Sequence, residues 1–171
     1  MIFSLIVAAD LNNGIGKNGK IPWRIKTDMD FFKKTTVGNG KNAVIMGRTT
    51  WESLPDGHRP LKNRLNIILT TNKTYAAASA KIALSFEQAL KIAEQNHAEE
   101  IFIIGGSKVY AETIEHKNCS GIWLTRVFKT FDCDAFFPKI NEKRFKKTWE
   151  SEIQEENDLK FQFEKWKKLQ T

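Results

Sequence analysis

The chain has 171 residues, 41% of them hydrophobic and 27% charged, with a formal net charge of +7 at neutral pH. That length and apolar content suit one globular domain with a real core, and no apolar run reaches the length needed to cross a bilayer. Cys119 and Cys133 have no CxxC spacing and do not make a disulfide framework, so a reducing cytoplasm is the expected setting. His58, His97 and His116 are scattered among polar residues and suggest neither a metal site nor a nucleophilic triad.

Much of the positive charge lies in Lys143, Arg144, Lys146, Lys147, Lys165, Lys167 and Lys168. It reads either as a solvated strand face or as a field that attracts anions. Without C2H2 spacing or an RNP1-like aromatic run, small anionic ligands fit better than nucleic acid.

In chain order, residues 2–9 are apolar throughout, as in a strand buried on both faces. With no basic leader before it, this stretch reads as a first strand and not a signal peptide. A glycine-bearing loop, 14–23, ends in Pro22-Trp23 and hands over to a helix with acid in its first turn. Thr27 and Asp30 have capping-box spacing. Asp30 has Lys33 and Lys34 at ion-pair spacing, whereas Asp28 has Phe31 and Phe32 there, beside Met29. Asp28 therefore faces an apolar wall, where a carboxylate is costly unless hydrogen-bonded. It either holds a ligand or merely favours the positive helix end, which is worth about 0.3–1 kcal/mol.

Residues 41–46 form the next strand, running through Gly47 into a short helix around Trp51. A proline-bearing loop over 55–60 leads to a third strand at 65–69. The alanine-rich 74–84 segment suits a loop and a short edge strand. Helical spacing of Phe86, Ala89, Leu90 and Ala93 follows, with Ser85 and Gln88 as a second capping box. Residues 100–104 make a buried strand entering Gly105-Gly106 and a helix over 107–114, and 121–127 make another strand. Alternation of Leu159, Phe161 and Phe163 with polar residues gives a closing antiparallel hairpin of 145–153 and 159–169 around a polar turn at 154–158. The expected fold is a single α/β domain: a central, mostly parallel twisted sheet flanked by helices, with the hairpin at its edge.

Ligands of such sheets gather outside the carboxyl ends of the strands, here at Gly16, Gly47, Thr70, Gly105 and Thr125. Two glycine junctions at helix starts suit two phosphates or simply tight packing. The GxGxxG fingerprint is absent, and no acid lies about 20 residues past Gly105-Gly106 to take an NAD ribose hydroxyl. Arg48, Thr49 and Thr70 suit an additional 2′-phosphate, which favours NADP.

The set Ile15-Gly16, Ile21-Pro22-Trp23, Asp28 with Phe32-Lys33, Val44 to Arg48 with Thr50-Trp51, Arg59-Pro60-Leu61, Arg64, Ile104-Gly105-Gly106 with Tyr110, and Leu124-Thr125 resembles dihydrofolate reductase. The resemblance covers nearly the whole chain in the family's order and spacing. It implies NADPH-dependent reduction of dihydrofolate by hydride transfer to C6 and protonation of N5, in a monomeric cytoplasmic enzyme that antifolates inhibit and that needs neither nucleic acid nor membrane. Asp28 would hold the pterin amino group and adjacent ring nitrogen, supported by Thr125 and a water, and would tune N5 protonation electrostatically. Ile21, Trp23 and Thr125 complete the implied catalytic set. Ile6, Val7, Met29, Phe32, Leu54, Arg59, Leu61 and Ile104 would line the substrate pocket, and Arg64 would pair with the glutamate α-carboxylate. For NADPH the resemblance implies Ala8, Ile15, Gly16, Lys17, Asn18, Gly19 and Lys20 on the nicotinamide side. Gly47, Arg48, Thr49, Thr50, Thr70 and Thr71 would hold the adenosine phosphates. Gly105, Gly106, Ser107, Lys108, Val109 and Tyr110 would wrap the pyrophosphate, with a cis bond between the two glycines. Asp134 matches the family acid that latches the mobile loop through its backbone.

Ile21 stands where methionine or leucine is often found, a stiffer choice that alters loop closure. No proline follows Trp23 before the helix, a difference that bears on ligand entry. A related reductase of a pyrimidine intermediate in riboflavin synthesis shares fold and cofactor, but Asp28 beside Phe32, with Arg64, favours folate. A basic nucleic-acid module would instead show affinity that falls steeply with salt.

Overall fold

The computed structural model describes residues 1–170. Its elements are β1 (Phe3–Ala9), β2 (Gly14–Gly16), α1 (Lys26–Val37), β3 (Ala43–Gly47), α2 (Arg48–Ser53), β4 (Leu65–Leu69), β5 (Lys81–Ala83) and α3 (Phe86–Gln95). They continue as β6 (Ile101–Ile103), α4 (Ser107–Thr113), β7 (Cys119–Val127), β8 (Ala135–Phe136), β9 (Phe145–Glu150), β10 (Gln154–Glu156) and β11 (Leu159–Lys168). A nine-stranded sheet runs in the order β10-β11-β7-β1-β6-β3-β4-β5, with β9 pairing β11. Strands β1, β3, β4, β5, β6 and β7 are mutually parallel, and β11 joins antiparallel to β7.

Alternation along the central strands divides the core. Leu5, Val7, Ile45 and Ile103 point to the face covered by α3 and α4. Ile6, Val44, Met46 and Phe102 point to the face where Phe31 and Phe32 of α1 and Trp51 of α2 pack. Burying each such aliphatic side chain contributes about 1.5–3 kcal/mol. A third cluster joins Trp23 and Ile25 to Val127, Phe161 and Phe163 at the hairpin side.

The capping box at Ser85 forms with one shift: Ser85 accepts the Gln88 amide at 3.1 Å, but Gln88 accepts from Leu84 and not from Ser85. The one expected at Thr27 and Asp30 does not form. Helix α1 begins two residues earlier, and Ile25 at its cap position offers no side-chain acceptor. Asp30 pairs backwards with Lys26 at 2.6 Å instead of forwards with Lys33 or Lys34. The amino end of α1 is closed from outside by Glu156 of β10, which accepts from the Lys26 amide, the Thr27 amide (3.1 Å) and the Thr27 hydroxyl (2.6 Å). A local pattern lost to a tertiary one.

The hairpin also differs in detail. Gln154 to Glu156 pair with Leu159 to Phe161, so the turn shrinks to Asn157 and Asp158, with φ of 53° and 59°. Left-handed φ at both central residues is the two-residue turn whose twist matches that of paired strands. The first arm ends at Glu150, and both β9 and β10 pair on the outer side of β11. The small pair β2–β8 was not legible in the sequence.

Candidate active site

Parallel pairing of β1 with β7 aligns Ala8 with Thr125 and Ile6 with Trp123, on the α1 face of the sheet. Thr125, itself buried, donates its hydroxyl to Asp28 Oδ1 at 2.6 Å. Burial pushes the Asp28 carboxyl above the ordinary carboxylate range; the Thr125 bond pulls the other way, and the Glu156 charge adds to the rise. The wall beside it is aromatic: Phe31 stacks on Phe163 at 4.1 Å and meets Trp123 edge-on at 5.9 Å. Trp23, buried in the third cluster, packs against Phe131 at 5.1 Å.

Of the expected substrate residues, Ile6, Leu61, Phe32, Leu54 and Ile104 fall in one apolar cluster on this face. Val7 does not, because strand alternation turns it into the opposite core. Met29 and Ile21 stay exposed, at 50% and 63%. Arg64 is half-buried and donates to the Lys62 carbonyl and the Thr36 hydroxyl, both at 2.9 Å. It has no acidic partner among the described residues. Its loop is bracketed by buried Asn66, which bonds both polar groups of the Leu61 backbone and the Arg64 carbonyl, each at 2.9 Å. Arg59 pairs with Asp56 in that loop.

The two glycine junctions meet. Gly47, before α2, donates its amide to the Gly105 carbonyl at 2.9 Å, and the Gly105–Gly106 bond is cis. A Cβ at Gly106 would lie 3.1 Å from the Thr50 hydroxyl, and one at Gly47 would lie 3.3 Å from Val109. Any side chain at either position would crowd its neighbour, and the starts of α2 and α4 lie side by side there. Tyr110 is buried and donates to the Ile6 carbonyl at 2.7 Å, tying α4 to β1. Around the α2 side, Arg48 lies over the Tyr75 ring at 5.8 Å and only loosely meets Glu52 at 3.7 Å. Thr49, Thr71 and Lys108 are exposed, while Thr50, Thr70 and Ser107 are half-buried.

The loop between β1 and α1 is more ordered than its glycines suggest. Lys17 and Lys20 exchange both backbone bonds around Asn18 and Gly19, which take left-handed φ of 48° and 73°. Asp134 accepts the Asn18 amide at 3.0 Å, its own amide donates to the Gly16 carbonyl at 2.9 Å, and Lys17 reaches Asp132 at 3.2 Å. Ile15 packs against the main core and Ala8 against the third cluster.

Sequence reasoning missed Asp10. Fully buried at the end of β1, it accepts the amides of Asn12 (2.8 Å), Gly14 (2.7 Å) and Phe131 (2.8 Å), so one carboxylate ties the bases of both loops. Arg126 reinforces the junction by donating to the Asp10 carbonyl and to Asn13. The signal was available: an acid closing an apolar strand just before Asn-Asn-Gly is an Asx-turn pattern. Glu156 and Asn66 had no comparable local signature.

A concavity of about 520 Å³ lies at the other end of the sheet, by Lys41, Asn42, His97 and Glu99. Its charges are already paired, Lys41 with Glu99 at 3.3 Å, so the chemistry is not there. Among the described residues no group of three or more His, Cys, Asp or Glu is placed to hold a metal, and no helix is long and apolar enough to cross a membrane.

A mostly parallel sheet with paired glycine junctions and a half-buried acid, Asp28, on its rim has the layout of a small α/β enzyme. The comparisons with known proteins narrow it. A family model described as dihydrofolate reductase matches residues 2–168. The dihydrofolate reductase of Heliothis virescens is 40% identical over 97% of each chain, and that of Drosophila melanogaster 40% identical over 94% of each. The bifunctional dihydrofolate reductase-thymidylate synthase of Daucus carota is 37% identical over 94% of this chain and 33% of its own. The chain belongs to the dihydrofolate reductase family, and reduction of dihydrofolate is its activity.

Proposed function

We propose that this enzyme reduces 7,8-dihydrofolate with NADPH, and that Asp28 is the residue on which the chemistry turns. The observation that carries the reading is a carboxylate on an aromatic wall, held by Thr125 at 2.6 Å on the sheet rim. Asp28 binds the pterin amino group and adjacent ring nitrogen, which desolvates the ring against Ile6, Phe32, Leu54, Leu61 and Ile104. Charge on Asp28 favours uptake of a proton from water at N5. Arg64, a half-buried cation without an acid partner, takes the glutamate α-carboxylate with its two-pronged guanidinium. Met29 and Ile21 flank the opening, and Arg59 steadies the Leu61 loop through Asp56.

The residues present fit NADPH. The adjoining helix starts at Gly47 and Gly105-Gly106, where a Cβ would crowd Val109 or Thr50, would meet the pyrophosphate through backbone amides, and Arg48, Thr49, Thr50, Thr70 and Thr71 suit the 2′-phosphate side. When bound, NADPH supplies the hydride that reaches C6. Asp134, by holding Asn18, keeps the Ile15–Lys20 arm over that side and excludes water. The protein works as a monomer in a reducing cytoplasm where its free thiols, Cys119 and Cys133, persist, and antifolates occupy the same pterin pocket.

The test is NADPH oxidation with added dihydrofolate for the parent and for Asp28→Asn. We expect robust parent turnover, with the variant crippled near neutral pH and partly rescued in acid. Equal turnover in the two would return Asp28 to the role of a helix-start acid.

A further inference from the structure

We propose that Glu156 is a positioning residue for this reaction: from the hairpin tip its carboxylate fixes the amino end of α1 and sets the charge against which Asp28 works. The inference rests on the reading of Asp28 given above and extends it to a residue that touches neither ligand.

The geometry is specific. Glu156 is the acid at the amino end of α1, taking the amides of Lys26 and Thr27 and the Thr27 hydroxyl, one residue before Asp28. Asn157, beside it, donates to the Arg24 carbonyl at 3.4 Å, so the same turn also meets the exit of the Pro22-Trp23 loop. A helix start carries a partial positive charge that would stabilise an anionic Asp28. Glu156 occupies that end and cancels the benefit. The Thr27 hydroxyl and the two amides hold the Glu156 carboxyl below its ordinary range, whereas burial holds Asp28 above. Two acids of one cluster are thereby driven apart, one held below its ordinary range and the other above.

The remaining charges nearby are committed or face elsewhere. Lys26 and Asp30 of α1 pair with each other at 2.6 Å. Arg126, next to Thr125 on β7, points to the opposite face and bonds the Asp10 carbonyl and Asn13. On β11, Glu164 takes the Trp166 indole N–H at 2.8 Å on that opposite face, and Lys165 lies over the Trp123 ring at 4.0 Å. Glu156 is left as the charge that bears on Asp28, alongside burial and the Thr125 bond.

The experiment compares parent, Glu156→Gln and Thr27→Val in the full-length chain. The Asp28 carboxyl is followed by carbon NMR through a pH titration, assigned by its absence in Asp28→Asn, alongside the pH profile of kcat/KM for dihydrofolate. Glu156→Gln keeps the side-chain length and an acceptor but removes the charge. The Asp28 titration is expected to move to lower pH, and kcat/KM at neutral pH to fall about two- to five-fold, the size of a helix-end charge effect. Thr27→Val keeps the charge and should leave the titration near the parent's. An unmoved Asp28 titration in Glu156→Gln overturns the inference whatever the rate does, as does an equal shift in Thr27→Val. A titration that moves while the rate profile stays fixed shows that Glu156 sets the Asp28 charge, and sinks the catalytic role of Asp28 on which the inference rests.

Discussion

Asp28→Asn should make the protein more stable while disabling it. An acid whose carboxyl is held above its unfolded value binds its proton more readily when folded. Folding is then penalised wherever the group is charged, and the penalty fades as pH falls from the raised folded value towards the ordinary aspartate value of about 3.9. Asparagine avoids that penalty and keeps an oxygen to accept the Thr125 hydroxyl, so no buried donor is orphaned. Relieving a buried charge in this way is worth on the order of 1 kcal/mol. For a chain of this size that raises the melting temperature by about 2–4 °C at pH 7. The assay is thermal unfolding of parent and variant at pH 7 and again at pH 4, where the gap should narrow. A variant no more stable than the parent at pH 7, or a gap that persists unchanged in acid, would refute the reasoning.

Arg64→Ala should raise KM for dihydrofolate about ten- to a hundred-fold, the range of a lost charge-assisted bond, while leaving turnover of a pterin substrate without a glutamate tail unaffected. Equal losses on both substrates would remove the carboxylate role. Asp134→Ala frees the Asn18 amide, and faster NADPH release in stopped-flow with slower hydride transfer is the expected pair of changes. Unchanged rates would dismiss the latch. Asp10→Asn turns an amide donor towards a donor, the Phe131 or Gly14 N–H, at a fully buried position. A loss of about 2–3 kcal/mol in urea unfolding follows, together with earlier proteolysis within residues 11–24; wild-type stability would show that the loops do not depend on this carboxylate.

What the sequence made legible was everything carried by near neighbours. Apolar runs placed β1, β3, β4 and β6 to within a residue or two, because a strand buried on both faces leaves no polar alternation. Helix α3 announced itself through spacing and Ser85. The glycine junctions and Asp28 were legible because each breaks the local pattern around it. What escaped depends on distance along the chain. Thr27 and Asp30 satisfy the capping-box spacing, yet Glu156, 129 residues from Thr27, supplies the acceptor. Asn66 brackets the Arg64 loop, and Asp10 joins loops 121 residues apart, through side chains that local composition treats as ordinary polar positions. The pair β2–β8 escaped because Gly14–Gly16 has too little side chain to show an alternation.

The closure of α1 by the hairpin tip has a kinetic consequence. The helix bearing Asp28 has amides whose acceptor, Glu156, stands on β10, which must first fold back along β11. Loop-closure entropy must be met before that contact returns anything, so the site is completed among the last steps of folding.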